Sequence, residues 1–338
     1  MLESTHRLSE NAKIVLEVSC GLRKAEGLLI LTRRSGTKYF GADKMVLYTR
    51  ALASAAADIG VRATVLDISD FLAAPAGTGD AAPIRAAIGA ADVVLNMMDD
   101  IAFGRLLGLK ENDDEFLTAK GRRVFLQGNG MEEWDLKRPD VAAIRPRTLR
   151  LIELLRNART VRVTSPAGTD FSFAMGEGSA CTPILGIVPL YGEVATAPRQ
   201  GSENGVIIVD GPTQQKVRPA SELDRPPLRI VVEGGRAKDY SGDPAQVERL
   251  RAYIASGTPP ADAIDEVGIL TTTIPENDRF WWSDGTHHTR RIHIALGNNA
   301  QRASRVHGPR HMDTEVDRPT LIIDGKEVLR GGEFVWGE

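Results

Sequence analysis

The sequence predicts two domains, a doubly wound α/β domain with a parallel sheet followed by an α+β domain rich in antiparallel strands. Three observations lead to this prediction. A chain of 338 residues has the length of about two ordinary domains. Up to about residue 150, short apolar runs alternate with helix-like stretches, whereas short strands between Gly and Pro turns dominate from about residue 160. We therefore predict domains over residues 1–150 and 151–338.

The first domain is predicted from apolar runs that are separated by amphipathic stretches. Between the first two runs, apolar residues recur at helical spacing: Met45, Tyr48, Leu52, Ala55 and Ala56. The predicted elements are, in chain order, a strand at Leu28–Thr32, a helix at Ala42–Gly60, a strand at Val61–Asp67, a helix at Ala82–Ala90, and strands at Ala91–Asn96 and Arg123–Gln127. Strands that alternate with helices favour parallel βαβ units.

The second domain is predicted from short strands and one well-defined helix. Asp243 is a suitable N-cap for that helix, and Pro244 occupies its first position. Asp324-Gly325-Lys326 between two apolar runs indicates a hairpin. Pro and polar residues at Asp140–Arg147 mark the predicted domain boundary. The predicted strands are Val161–Val163, Asp170–Phe173, Gly205–Asp210, Arg229–Glu233, Thr320–Ile323 and Glu327–Leu329.

Composition and net charge limit the kinds of partner that the chain is expected to bind. The apolar fraction of 42% and the charged fraction of 26% are typical of a soluble globular protein. A net charge of -3 gives no reason to expect nucleic acid or an anionic membrane as a partner. No run approaches the roughly 20 apolar residues that cross a bilayer. The N-terminus lacks the basic and apolar regions of a secretory signal, so we expect a cytoplasmic protein.

A histidine-rich segment near the C-terminus is the first sign of a metal site. Five of the six histidines lie between His287 and His311, and the last one opens the triplet His311-Met312-Asp313. Imidazole is the commonest metal ligand, and side chains two apart on a strand point the same way, so His311 and Asp313 can reach one ion. With only two cysteines in the chain, nitrogen and oxygen ligands must hold any metal. The alternative is a loop that is merely rich in histidine.

Three further polar residues stand in apolar surroundings. Glu193 lies in G-E-V-A-T-A-P, Glu266 in D-E-V-G-I, and His293 in I-H-I-A-L-G. Burying a charge without a partner is strongly unfavourable, so each glutamate needs either a cation or an arginine. His293 can equally be a core histidine that has a hydrogen-bonding partner.

Together these residues form a set of oxygen and nitrogen donors: Glu193, Glu266, His293, His311 and Asp313. Five ligands exceed the three protein ligands of a mononuclear catalytic zinc site and suit two ions bridged by a carboxylate. A smaller set of His293, His311 and one carboxylate suits a single Fe(II) ion. The residues alone leave both arrangements open.

Six segments occur in the order seen in aminopeptidase T-like metallopeptidases, which the chain resembles over most of its length. They are Gly168–Phe173, Gly192–Pro198 with Asn204-Gly205, Glu266–Gly268, His293–Gly297, His311–Asp313 and Asp324-Gly325. The resemblance implies two divalent ions (zinc, cobalt or manganese) in a cleft between the domains, held by Glu193, Glu266, His293, His311 and Asp313. It also implies a homodimer that cleaves an amide or peptide bond with metal-activated water, and Glu193 or Glu266 as the general base.

The same fold includes 2,5-dihydroxypyridine 5,6-dioxygenases, which resemble this chain in length and use one Fe(II) ion with the H-x-D pair. Those enzymes lack the residues that match Glu193, Glu266 and His293, all of which this chain keeps. The chain departs from the peptidases at Asn298–Gln301, where they carry a tyrosine. We therefore predict a two-metal hydrolase. The first alternative is a mononuclear Fe(II) dioxygenase that opens a hydroxylated pyridine-type ring, and the second is a non-catalytic metal- or ligand-binding protein.

Arginines and histidines around the cluster indicate that the substrate is anionic. Between Gly285 and Met312 the chain carries five arginines and no Asp or Glu. Arginine binds carboxylates with two parallel hydrogen bonds, so we expect a small molecule or short peptide that bears a carboxylate. The residues predicted to face it are Arg290, Arg291, His287, His288 and His307. The alternative is a solvated loop whose arginines pair with acidic residues elsewhere.

Overall fold

The computed structural model describes residues 2–37, 41–73, 81–98, 122–126, 130–257, 260–274, 289–297 and 311–336. The chain divides into two compact units, Met1–Ala143 with Leu185–Leu190, and Ile144–Ile184 with Tyr191–Glu338. In the described part of the chain, no helix combines the length and the apolar character that crossing a membrane requires.

Within the described residues, the first unit is built on a five-stranded parallel sheet, sheet A, as the alternating pattern predicted. Its strands are β1 (Gly27–Thr32), β2 (Arg62–Asp67), β3 (Val93–Asn96), β4 (Arg122–Leu126) and β8 (Ile187–Val188). The strand order is β2-β1-β3-β4-β8, and every pair in it is parallel. The helices are α1 (Leu2–Ile14), which continues into a π-helical turn at Val15–Ser19, α2 (Ala42–Asp58), α3 (Ser69–Ala73) and α4 (Ala82–Ala90).

Helix α2 shows why the predicted pattern forms this unit. The five apolar side chains at helical spacing are all buried: Met45, Tyr48, Leu52, Ala55 and Ala56. Strands β1 and β3 are buried along almost their whole length, as is usual for parallel strands that are covered on both faces. The burial of these apolar side chains stabilises the helix and the sheet together.

The second unit contains two antiparallel sheets, which have eight and five strands among the described residues. The strands are β5 (Val161–Thr164), β6 (Asp170–Phe173), β7 (Ala180–Ile184), β9 (Glu193–Ala197), β10 (Asn204–Val209), β11 (Leu228–Glu233), β12 (Arg236–Ser241), β13 (Ile264–Leu270), β14 (Arg291–Gly297), β15 (His311–Asp317), β16 (Thr320–Ile323), β17 (Lys326–Arg330) and β18 (Glu333–Phe334). Sheet B has the order β12-β11-β10-β6-β5-β16-β17-β18, and sheet C has the order β15-β14-β13-β9-β7. Short 3-10 turns lie at Gln214–Lys216 and Ala220–Glu222. This rich antiparallel content confirms the predicted α+β class.

One helix, α5 (Arg138–Arg156), runs through the residues that suggested a domain boundary. Asp140–Arg147 is helical, and Pro146 lies inside the helix. A proline removes one backbone hydrogen bond and usually ends a helix. Here the apolar stripe continues on both sides of it, with Ile144 and Leu151 buried. Burial of this stripe offsets the lost hydrogen bond, because tertiary packing supplies most of the stability of a helix.

Two local predictions in the second unit are confirmed. Asp243 caps α6 (Pro244–Ala255) by accepting hydrogen bonds from the backbone N–H groups of Ala245 and Gln246, at 3.1 and 3.0 Å. Asp324 and Gly325 join β16 to β17 with positive φ angles of 47° and 79°. Positive φ at both central residues defines the type I′ hairpin turn.

Candidate metal centre

Sheet C brings the predicted ligands together through its register. Gly268 on β13 lies opposite Ala195 on β9 and opposite His293 on β14. Ala295 on β14 lies opposite Asp313 on β15. Residues directly opposite each other share a face of the sheet, as do residues two apart on one strand. All five predicted ligands therefore lie on one face, which we call the site face: Glu193, Glu266, His293, His311 and Asp313.

The other face of sheet C packs into the core of the second unit. The residues of these strands that belong to the core are apolar: Val194, Ile264, Val267, Ile269, Ile292, Ile294, Leu296, Met312 and Val316. Between the ligands, the site face carries small residues: Ala195, Gly268 and Ala295. Moving one strand by one residue would turn its ligands into the core and its apolar residues out of it. Burial of the apolar face therefore determines which side chains meet on the site face.

Glu193, Glu266 and His293 form the buried centre of the site face. His293 Nε2 lies 3.5 Å from Glu193 Oε1 and 3.8 Å from Glu266 Oε1. The three residues offer ligand atoms within 4.8 Å of one another, and each residue is only 2% exposed. Nitrogen and oxygen atoms at this spacing can surround a single ion.

His311 and Asp313 extend this centre along β15. His311 Nε2 lies 2.9 Å from Asp313 Oδ1 and 3.8 Å from Glu266 Oε2. Asp313 is buried, whereas 35% of the His311 side chain is exposed. Glu266 thus turns Oε1 to His293 and Oε2 to His311. Glu266 therefore lies between two groups of predicted ligands, with one oxygen near each group.

Gly268 makes room for the ring of His293. A Cβ atom at position 268 would overlap the imidazole, and the ring atom Cδ2 would be only 2.7 Å from it. Any other residue type at this position would push the ring out of the centre, because the surrounding interior is close-packed. The histidine on the neighbouring strand can therefore occupy this position only because residue 268, in the E-V-G segment, is a glycine.

The start of β9 is anchored by the residue before Glu193. The Gly192 carbonyl accepts a hydrogen bond from the Thr271 backbone N–H at 2.8 Å. A Cβ atom at position 192 would lie 2.6 Å from Thr271 Oγ1, which itself is hydrogen-bonded to Thr148 Oγ1 on α5 at 2.6 Å. This close packing leaves the backbone at Glu193 little freedom.

The charges of the centre favour a bound cation. Burial acts to lower the pKa of His293. The surrounding carboxylates outweigh burial and raise this pKa to about 10: Asp313, Glu193 and Glu266. A proton on His293 therefore offsets part of the negative charge when no metal is bound. A divalent ion would replace that proton, because a ligating imidazole must be neutral.

The donor atoms fit a divalent transition metal. Three carboxylates and two imidazoles offer only oxygen and nitrogen, a mixture that binds zinc, manganese or iron. Burying several carboxylates in one place is unfavourable unless cations compensate them. Gly268 leaves space for the His293 ring, and Glu266 lies between the two histidines. Both features suit a metal site, and an ordinary apolar core requires neither.

Two of the residues predicted to face the substrate lie in the described part of the chain. Arg291 is on the site face at the start of β14, and its Nε lies 3.2 Å from Asp317 Oδ1. Arg290 has a φ of 63°, and its Nε lies 2.7 Å from Glu333 Oε1. Both arginines thus have acidic partners, and their role in substrate binding stays a prediction. The other three predicted residues lie outside the described residues: His287, His288 and His307.

Two side chains near the centre were missed in the sequence. Tyr191, two residues before Glu193, donates a hydrogen bond from its hydroxyl to Glu193 Oε2. Glu315 lies opposite His293 in the register of β14 and β15, and it is fully buried at 0% exposure. For Glu315 the available signal was the alternation of side chains along β15, which continues from Asp313 to Glu315. Tyr191 precedes β9, so strand alternation does not reach it.

A unit with a parallel sheet, a unit with antiparallel sheets and a buried cluster of carboxylates and histidine are features of a metalloenzyme-like fold. A family model described as 2,5-dihydroxypyridine 5,6-dioxygenase (NicX) matches residues 10–269. The chain therefore belongs to the 2,5-dihydroxypyridine 5,6-dioxygenase family. Glu193 and Glu266 lie within the matched region, and three of the predicted ligands lie beyond it: His293, His311 and Asp313.

Two solved structures share the fold over nearly the whole chain. The structure of 2,5-dihydroxypyridine dioxygenase from Pseudomonas putida KT2440 is 19% identical, with a TM-score of 0.65, and the match covers 99% of this chain and 98% of that one. Wild-type AmpT from Thermus thermophilus is 15% identical, with a TM-score of 0.56, and the match covers 98% of this chain and 99% of that one. A search of curated protein sequences finds no match. At these identities the likeness shows the fold alone. This is the fold expected for the family that the sequence resembles, which includes both proteins.

Proposed function

We propose that the chain is a metal-dependent hydrolase that holds two divalent ions on the site face and cleaves an amide or peptide bond of a small, carboxylate-bearing substrate. The position of Glu266 carries the proposal. Its two oxygens are turned to two different histidines, each at 3.8 Å. A carboxylate in this position is suited to bridge two ions a few ångströms apart.

Each ion would have its own group of ligands. The first would be held by Glu193 Oε1, His293 Nε2 and Glu266 Oε1. The second would be held by His311 Nε2, Asp313 Oδ1 and Glu266 Oε2. Each ion would then have three protein ligands, which is the number found in catalytic zinc sites.

The two glutamates have different roles in this proposal. Bound ions would lower the pKa of a water molecule and polarise the substrate carbonyl. Both oxygens of Glu266 are turned to histidines, which suits a bridging ligand. In Glu193, Oε1 is the oxygen next to His293, while Oε2 accepts a hydrogen bond from Tyr191. Glu193 thus offers only Oε1 to the ions, and one of the two glutamates would act as the general base for the attacking water.

Metal analysis tests the proposal. We expect about two zinc, cobalt or manganese ions per chain. Glu193→Gln should lose one ion and the hydrolysis of short peptides. Glu203→Gln should keep both, because Glu203 is equally buried but its carboxylate is hydrogen-bonded to the backbone of its own turn. Absence of bound metal after mild purification, with no activity when metal is added back, would refute the proposal.

A second candidate is a mononuclear Fe(II) dioxygenase that opens the ring of a hydroxylated pyridine-type compound. The family to which the chain belongs and the likeness to the Pseudomonas putida enzyme favour it. His293, His311 and Asp313 would then hold one iron as a set of two histidines and one carboxylate. One iron per chain, oxygen uptake with hydroxylated pyridines and unchanged iron content in Glu193→Gln would favour this candidate over the hydrolase.

A further inference from the structure

Tyr191 contacts the proposed metal ligand Glu193 on the side away from the histidine. Its ring is buried, and its hydroxyl donates a hydrogen bond to Glu193 Oε2. The other oxygen, Oε1, is the one that lies 3.5 Å from His293 Nε2. The two oxygens of this carboxylate therefore have different surroundings, one formed by a phenol and one by the metal centre.

A phenol has the right chemistry for this position. At neutral pH it keeps its proton and donates one hydrogen bond. A hydrogen bond to a carboxylate is charge-assisted and roughly twice as strong as one between neutral groups. Unlike lysine or arginine, tyrosine adds no positive charge that would compete with a cation. The phenol can therefore orient Glu193 without reducing the negative charge that the carboxylate offers to a metal.

The main chain between the two residues is already fixed. A Cβ atom at Gly192 would overlap Ile144 and Thr271, so this segment is closely packed against its neighbours. Rotation of the Glu193 side chain is the freedom that remains. The hydrogen bond from Tyr191 restricts that rotation, because it holds Oε2 in one place.

We propose that Tyr191 is a positioning residue that presents Glu193 to the metal through Oε1 alone. The inference rests on the metal site of the proposed function. Without the phenol, the carboxylate could chelate one ion with both oxygens or turn away from it, and either change alters the ligand group of that ion. Partners that orient metal ligands in this way typically contribute about 10–100-fold to metal affinity.

Tyr191→Phe tests the proposal, with Tyr240→Phe as the matched control. The hydroxyl of Tyr240 donates to the carbonyl of Ala237 on β12, in sheet B. Titration of the metal-free protein with zinc or cobalt against a competing chelator measures each binding step. We expect Tyr191→Phe to weaken one step by about 10–100-fold and to change the visible absorption of bound cobalt, which reports ligand number and geometry. Tyr240→Phe should change neither.

The outcomes separate this inference from the proposed function. Unchanged affinity for both ions and an unchanged cobalt spectrum in Tyr191→Phe would overturn the role of Tyr191 and leave the metal site intact. Failure of the wild-type protein to bind divalent ions would overturn both.

A measurement on the unmodified protein covers the case in which Tyr191→Phe does not fold. Metal binding at Glu193 should alter the environment of the phenol bonded to it, and so perturb the ultraviolet absorption of tyrosine. Metal binding without this perturbation would also overturn the inference.

Discussion

Gly268→Ala adds one methyl group where the ring of His293 lies against β13. The added Cβ would be 2.7 Å from Cδ2 of the ring and closer still to Cε1 and Nε2. Carbon atoms in good contact are about 3.5–4.0 Å apart, so the ring must move by roughly 1 Å or more. Strand β13 has little freedom to move instead, because it is hydrogen-bonded to β9 on one side and to β14 on the other.

The size of the effect follows from this geometry. Overpacking a close-packed interior costs about 1–3 kcal/mol. In a unit of this size, each kcal/mol lowers Tm by about 2–4 °C, so we expect Gly268→Ala without metal to melt roughly 2–12 °C below the wild type. Metal binding should suffer more than folding, since zinc–nitrogen bonds are about 2.0–2.1 Å long and do not tolerate a ligand displaced by roughly 1 Å.

Calorimetry and metal titration measure the two effects. Gly89→Ala is the matched control, because a Cβ there meets no described atom within 4 Å and lies in a helix, where alanine is favourable. In a His293→Ala background the clash is gone, so Gly268→Ala should then have little effect on stability while metal binding stays impaired. Wild-type Tm and full metal affinity in Gly268→Ala would refute the position that we assign to the ring.

Two further predictions concern charge and helix capping. In the metal-free protein, the raised pKa of His293, about 10 against 6.5, gives stability that is fully present below about pH 6.5 and is lost as the pH rises towards 10. Urea unfolding should show this decline, and a profile in His293→Gln as steep as in the wild type would contradict it. Asp243→Ala should destabilise the protein by about 0.5–2 kcal/mol, because it removes both capping hydrogen bonds of α6. An unchanged Tm would argue against the cap.

The elements that could be predicted are those in which local preference and tertiary burial agree. The apolar stripe of α2 and the turn at Asp324 and Gly325 are examples, because each pattern specifies its own local structure. Helix α5 is the exception. Asp140–Arg147 has the composition of a linker, and Pro146 disfavours a helix, yet the segment is helical because its apolar side chains are buried. That burial depends on the folded partner surface, which local sequence does not describe.

The sequence singles out Glu193, Glu266 and His293 because each one interrupts an apolar segment, and His311 and Asp313 because they form an H-x-D triplet. Their arrangement could not, since the order β15-β14-β13-β9 is a property of the whole sheet. Gly268 resembles any other glycine until β14 places His293 against it. Glu315 and Tyr191 can likewise be recognised only from their neighbours in the structure. Glu315 lies opposite His293, and Tyr191 is hydrogen-bonded to Glu193.

Charge balance bears on whether the site holds one ion or two, and it depends on the glutamates more than on the histidines. A single Fe(II) ion requires only His293, His311 and Asp313, which leaves Glu193 and Glu266 as additional buried carboxylates. The centre would then keep a net negative charge, and the buried Glu315 on the same face would increase it. Uncompensated buried charge is strongly unfavourable, and it would repel an anionic substrate. Two divalent ions would compensate all three carboxylates among the proposed ligands and Glu315 as well, so no net negative charge would remain to repel a substrate carboxylate. Charge balance therefore favours two metal ions. The position of Glu266, whose two oxygens lie near different histidines, favours the same arrangement.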